Sequence, residues 1–178
     1  MSVYIYYDSS QDISWNYTES GGNASIGDGS NSNNGNATTL GISLSGAIAI
    51  PGTVDEYTVT SIDENTFQYC GNLTSITIPN SVINIGQRAF NGCGKLESVT
   101  LPINDNFTTI NYRAFRSSGL TSLTIPNSVT TIVSQAFHSC NSLTSVTFPT
   151  NVNFTTISTD AFSSCSSLTS IDLSGTQV

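Results

Sequence analysis

The apolar and polar positions of this chain keep a period. From residue 44 onward a Leu-x-x-apolar-x-apolar-Pro stretch recurs, each time followed by an Ala-Phe pair or a worn version of it. The clearest copy reads Leu73-Thr74-Ser75-Ile76-Thr77-Ile78-Pro79, then Val82, Ile85, Ala89, Phe90 and Cys93. Further copies occupy 96–102 with Phe115, 120–126 with Phe137, and 143–149 with Phe162. A worn first copy ends at Ile50-Pro51 with Phe67, and a partial one starts at Leu168. A spacing of about 22 to 25 residues means one coil per repeat, with each coil burying its apolar side against its neighbours in a solenoid.

Within a copy, the Ile76-x-Ile78 alternation predicts a short strand with its apolar side inward. Pro79, Pro102, Pro126 and Pro149 end these strands, since proline has no N–H for the ladder. Val82 with Ile85, Val129 with Ile132, Phe107 with Ile110, and Phe154 with Ile157 turn the next side of each coil inward. Segments 86–90 and 134–137 predict short helical turns whose Ala and Phe plug the interior. Stacked strands then form a parallel sheet of about five or six rungs, spaced roughly 4.8 Å.

Residues 1–43 depart from this pattern. Val3, Ile5 and Tyr7 alternate with Tyr4 and Tyr6, and Ile13, Trp15 and Tyr17 alternate with Ser14 and Asn16, which are strand patterns. Residues 20–39 are rich in Gly, Ser and Asn and read as a long loop with a short strand at Ala24-Ser25-Ile26. The expected organisation is an N-terminal β cap over 1–43, covering the apolar end of the first coil, and a solenoid over 44–178.

The runs Ile78-Pro79-Asn80-Ser81-Val82 and Ile125-Pro126-Asn127-Ser128-Val129 resemble the BspA-like leucine-rich repeats. So does Ala136-Phe137-His138-Ser139-Cys140-Asn141-Ser142-Leu143-Thr144-Ser145, and the stretch Ile50 to Ile62 is similar to that family's first coil. The resemblance covers about three quarters of the chain and recurs in phase. It implies a β-rich α/β solenoid, a right-handed coil with parallel strands and short helical turns. It also implies a non-enzymatic surface, adhesion or protein-interaction molecule. Two departures stand out. The third copy is one residue short between Phe115 and Leu120 and carries Ser118 near the Cys position, and the last copy has Gly175 where a turn should begin.

Composition narrows the partners. Net charge is −8, with only Arg88, Lys95, Arg113 and Arg116 positive, so nucleic-acid backbones and anionic membrane surfaces are poor matches. No apolar run is long enough to span a bilayer. The first residues show no basic n-region and no long apolar h-region, which favours a cytoplasmic protein or a part of an intracellularly assembled particle. Cys70, Cys93, Cys140 and Cys165 each lie three residues after a repeat Phe. They read as a buried column of free thiols, with adjacent-coil disulfides Cys70–Cys93 and Cys140–Cys165 as the alternative.

Signals for catalysis or cofactors are sparse, and neither an enzyme, a metal nor a cofactor is expected. His138 sits in a slot otherwise filled by Gln68, Asn91 and Ser163, a pattern that points to solvent. Asp55-Glu56 and Asp63-Glu64 read as solvated turns, and the oxygen-rich run from Asp28 has Thr39 where a hand-type calcium loop needs Glu. Sequons at Asn16, Asn23, Asn36, Asn72, Asn106 and Asn153 follow from an Asn-, Ser- and Thr-rich composition.

One surface pattern remains. Ser75 and Thr77, Ser98 and Thr100, Ser122 and Thr124, and Ser145 and Thr147 flank the inward positions of successive strands. Alternation sends them outward as one Ser column and one Thr column. Thr108-Thr109, Thr130-Thr131 and Thr155-Thr156 make a second hydroxyl strip. The first functional reading is a protein-interaction or adhesion module, taking a protein or a glycan on this strand face. The alternative is a structural component of a larger assembly such as a fibre, a capsid or a cytoskeletal array, with the open edge at Ile171 and Leu173 and the N-terminal loop covered by neighbouring chains.

Overall fold

The structure, a computed structural model, describes residues 2–27, 44–176 and 178. The Gly/Ser/Asn-rich stretch from Asp28 to 43, with its calcium-like run and the Asn36 sequon, lies outside the described residues. The cap consists of β1 (Val3–Asp8), β2 (Ile13–Ser20) and β3 (Asn23–Ile26), paired antiparallel in that order. Coil 1 contributes β4 (Ser45–Ala49), β5 (Thr53–Val54) and β6 (Tyr57–Ile62). β3 pairs in parallel with β6, so the cap sheet continues directly into the solenoid.

Each later coil repeats a two-strand plan. On one side lie β7 (Asn72–Thr77), β9 (Ser98–Thr100), β11 (Ser122–Thr124) and β13 (Ser145–Thr147). On the next lie β8 (Asn84–Ile85), β10 (Thr109–Ile110), β12 (Thr131–Ile132) and β14 (Thr156–Ile157). All pairings between coils are parallel, as expected for chain returning in the same sense after each turn. The expected single sheet of five or six rungs is divided on this side into β4–β7–β9 and β11–β13, and residues 168–173 form no strand.

The third side of each coil corrects one expectation. The described residues contain no helix, so neither the α/β class nor short helical turns at 86–90 and 134–137 hold. In a helix the N–H groups beyond the first turn bond within their own segment. Here alternate N–H groups leave the coil: Arg88 N donates to Tyr112 O (3.0 Å), Phe90 N to Ala114 O (2.8 Å) and Gly92 N to Arg116 O (2.8 Å). The intervening Ala89, Asn91 and Cys93 bond back to Gly86, Arg88 and Phe90. Pairs of left-handed residues produce this ribbon of turns: Asn65 and Tyr69, Arg88 and Gly92, Arg113 and Ser117, Gln135 and Ser139, Asp160 and Ser164. A left-handed residue breaks a helix, and here it frees the neighbouring donors for the next coil.

Inside the ribbon the repeat phenylalanines form one stack. Phe67, Phe90, Phe115, Phe137 and Phe162 follow at centroid spacings of 4.9, 5.1, 5.5 and 5.2 Å, with interplanar angles of 5° to 10°. Trp15 of the cap meets Phe67 edge-on at 6.3 Å, and Phe148 meets Phe162 edge-on at 5.8 Å, so both ends are closed by an aromatic edge. The cap is braced by Tyr17 Oη donating to Asp55 and by Ser25 Oγ donating to Asp63. One member of each supposed solvated acid pair is therefore a structural acceptor.

The cysteines are free and buried. Cys93, Cys140 and Cys165 Sγ donate to the carbonyls of Phe67 (3.0 Å), Phe115 (3.2 Å) and Phe137 (3.1 Å) in the preceding coil. Ser118 takes the missing thiol's place, 3.2 Å from Cys140 Sγ. The one-residue deletion beside it closes because Gly119 packs on backbone, where a Cβ would lie 2.4 Å from Gly94 O. Long and short coils alternate through an amide clamp. Asn104 Nδ2 donates to Asn80 O and Val82 O, and Asn151 Nδ2 donates to Asn127 O and Val129 O.

Two consequences follow for stability. Phe115→Ala empties the middle of the stack and should cost about 3–5 kcal/mol in a urea melt followed by circular dichroism; a loss below about 1 kcal/mol would remove the stack's structural role. The Cys70 thiol, with an ordinary pKa of 9.0, is pushed up to about 11 by burial. The unfolded chain then ionises first, so stability present below pH 9 should fall as pH rises toward about 11. Melts at about pH 8 and about pH 10.5 measure this fall, which should shrink in Cys70→Ala.

Candidate functional site

The strand face carries the sequence-predicted hydroxyls in register. Ser75 pairs with Ser98 and Thr77 with Thr100 across β7 and β9, and Ser122 pairs with Ser145 and Thr124 with Thr147 across β11 and β13. The column begins with Ala47 and Ala49, which align with Ser75 and Thr77. Ser75 is half-buried, while Thr77, Ser98, Thr100, Ser122, Thr124, Ser145 and Thr147 are all exposed. The residues between them point inward, with Ile76 and Leu123 buried and Val99 and Val146 half-buried. Among the described residues, no protein group takes up these eight hydroxyls, so they are available to solvent or a partner.

A third column escaped the sequence reading. Thr74 within β7, and Glu97, Thr121 and Thr144 just before β9, β11 and β13, are linked by Glu97 N to Thr74 O, Thr121 N to Glu97 O and Thr144 N to Thr121 O. Thr144 Oγ1 donates to Thr121 O (2.9 Å), so these hydroxyls partly serve the backbone. Its signal was present, since Thr follows the repeat Leu in most copies, but alternation alone does not say where a strand begins. Glu97 places a carboxylate within this otherwise uncharged column. The second strip behaves in the same way: Thr109, Thr131 and Thr156 are in register, and Thr130 Oγ1 bonds Thr108 O (3.3 Å).

The turn ribbon holds most of the remaining polar chemistry. Tyr112 is flanked by two guanidinium groups, Arg88 at 5.4 Å and Arg113 at 4.7 Å from its centroid. Arg113 Nε also donates to Gln135 Oε1 (2.7 Å). At the coil 1 end a groove of about 300 Å³ is lined by Asp63, Glu64, Asn84, Gly86, Gln87 and Asn111. The slot after the repeat Phe is not solvent-facing as expected, because Gln68 and Asn91 are buried and Arg116, His138 and Ser163 are half-buried. The ribbon folds these positions back against neighbouring coils. His138 Nδ1 pairs with Ser139 Oγ at 2.7 Å, a contact with its own neighbour in the chain.

At the far edge Ile171 is exposed, whereas Leu173 is half-buried against the core. No helix among the described residues is long and apolar enough to cross a membrane.

Comparison with known proteins accounts for this plan. No curated protein matches the chain. Among solved structures it is similar to a leucine-rich repeat protein of T. pallidum, with 28% identity and a TM-score of 0.69, over 85% of this chain and 65% of that one. It is similar also to a leucine-rich repeat protein from Bacteroides capillosus, with 29% identity and a TM-score of 0.56, over 75% and 92% of the two chains. A leucine rich cell surface protein from Faecalibacterium prausnitzii shares the fold at 24% identity and a TM-score of 0.66, over 92% of this chain and 38% of that one. The family described as the BspA type leucine rich repeat region matches residues 60–177 in six copies. The chain therefore belongs to the BspA-type leucine-rich repeat family.

Proposed function

We propose that this chain is a non-enzymatic interaction module that takes a protein partner, or a surface glycan, on its Ser/Thr-lined strand face. The observation that carries the reading is the pair of hydroxyl columns, in register within β7–β9 and within β11–β13, exposed but for the half-buried Ser75 and without protein partners among the described residues. A flat sheet surface of this kind binds by shape and by many weak hydrogen bonds, because hydroxyls both donate and accept. Family membership supports an interaction role, since repeat scaffolds present extended surfaces and not enclosed reaction sites. Adding bulk along the Thr column, as in T77Q/T100Q/T124Q, should weaken binding to immobilised cell-surface protein or glycan fractions at least ten-fold (about 1.4 kcal/mol) without moving the melting curve. Binding equal to that of the unmodified chain would sink the strand-face assignment.

The alternative, a structural component of a larger assembly, draws on two exposed apolar edges. Val3, Ile5 and Tyr7 of the sheet-edge strand β1 are 45%, 56% and 58% exposed, and Ile171 is 41% exposed. Edges of this kind favour pairing with another chain. Light scattering after size exclusion should then show a mass that rises with concentration, and a constant monomer mass would leave the module reading alone.

A further inference from the structure

We infer that the turn ribbon of coils 2 and 3 is a docking site for the carboxylates of an acidic segment of a partner protein. The inference rests on the protein-partner reading above but not on its strand face. Charge is distributed unevenly on this molecule. The chain has four cationic side chains against twelve acidic ones, yet Arg88, Arg113 and Arg116 all lie on the turn ribbon of two adjacent coils. Among the described residues, none of the three forms an ion pair with a carboxylate. Arg88 and Arg113 are held instead against the ring of Tyr112, and Arg116 Nε is buried without a hydrogen-bond partner.

This arrangement leaves the guanidiniums ready for an anion. A guanidinium over a ring keeps its in-plane N–H donors, and although Gln135 Oε1 takes Arg113 Nε, the terminal Nη groups still match the two oxygens of a carboxylate. The ring also restrains the side chains before any ligand arrives, which lowers the ordering cost of binding. Both arginines occupy a left-handed slot, each at φ 55°, where glycine would fit with less strain. Further along the same ribbon Tyr69, 64% exposed, lies over Gly92, where a Cβ would come within 2.4 Å of the ring. Arg and Tyr are the residue types that dominate binding hot spots, whereas the Ser and Thr of the strand face seldom do.

The sign pattern selects the class of partner. Coil 1 ends this ribbon with Asp63 and Glu64, and coil 5 places Asp160 in the slot that holds Arg88 and Arg113. A long uniform polyanion crossing the arginines would meet like charge on both sides. A short acidic segment with neutral flanks would not.

A peptide of four glutamates between serine flanks, titrated into the full chain at low salt, tests the proposal through the arginine Nε–Hε NMR signals. The Arg88, Arg113 and Arg116 signals should shift saturably. Affinity should fall about ten-fold in R113Q and also in R88K, which keeps the charge but loses the fork. The strand-face variant T77Q/T100Q/T124Q should titrate as the unmodified chain does, so failure of the strand-face reading is seen separately. Unmoved arginine signals would overturn the proposal. So would a sulfated oligosaccharide that shifts them as strongly as the peptide, because the site would then read charge and not an acidic segment.

Discussion

The stack of repeat phenylalanines sets the terms for the rest of the molecule. Successive rings can lie nearly parallel at 4.9 to 5.5 Å only if each coil rises by about one strand spacing and keeps its angular position. That condition puts the backbone N–H of one ribbon beneath the carbonyls of the next. It also lets Cys93, Cys140 and Cys165 reach the carbonyls of the preceding coil. Once coils are locked in phase, a position within the repeat becomes a column in space. The hydroxyl face and the arginine face are both outcomes of that locking.

A one-dimensional stack has two ends, and the chain closes each with an aromatic edge. Trp15 requires the whole cap for its support, which explains why β3 joins β6 and why Asp55 and Asp63 serve as hydrogen-bond acceptors for cap residues. Burial, with the bond to Asp55 behind it, raises the Tyr17 hydroxyl above its ordinary pKa, so the brace keeps its proton. At the other end Phe148, the residue before a strand-ending proline, takes the place held by Leu101 in the other long coil and turns onto Phe162.

Much of this was legible in residue spacing. The inward Ile and Val positions, the buried cysteines and the Ser and Thr columns follow from period and alternation, because those depend on which residues must leave water. The ribbon was not legible. Ala-Phe preceded by Gln87-Arg88 or Ser134-Gln135 suits a helical turn locally, and only hydrogen bonds to the next coil make a left-handed Arg88 or Gln135 the better conformation. His138 was misplaced for the same reason, since a slot that varies from copy to copy can still fold back against a neighbouring coil.

The sequence by itself determined the repeat, the number of rungs to within one, and the chemical character of each column, since these follow from hydrophobic burial along a periodic chain. The tertiary structure alone decided which columns become neighbours. Arg88 lies a full repeat before the adjacent Tyr112 and Arg113, yet the rise of one coil sets its guanidinium against the same ring that Arg113 flanks. Stacking coils converts distance along the chain into contact between them, and no local pattern records that conversion.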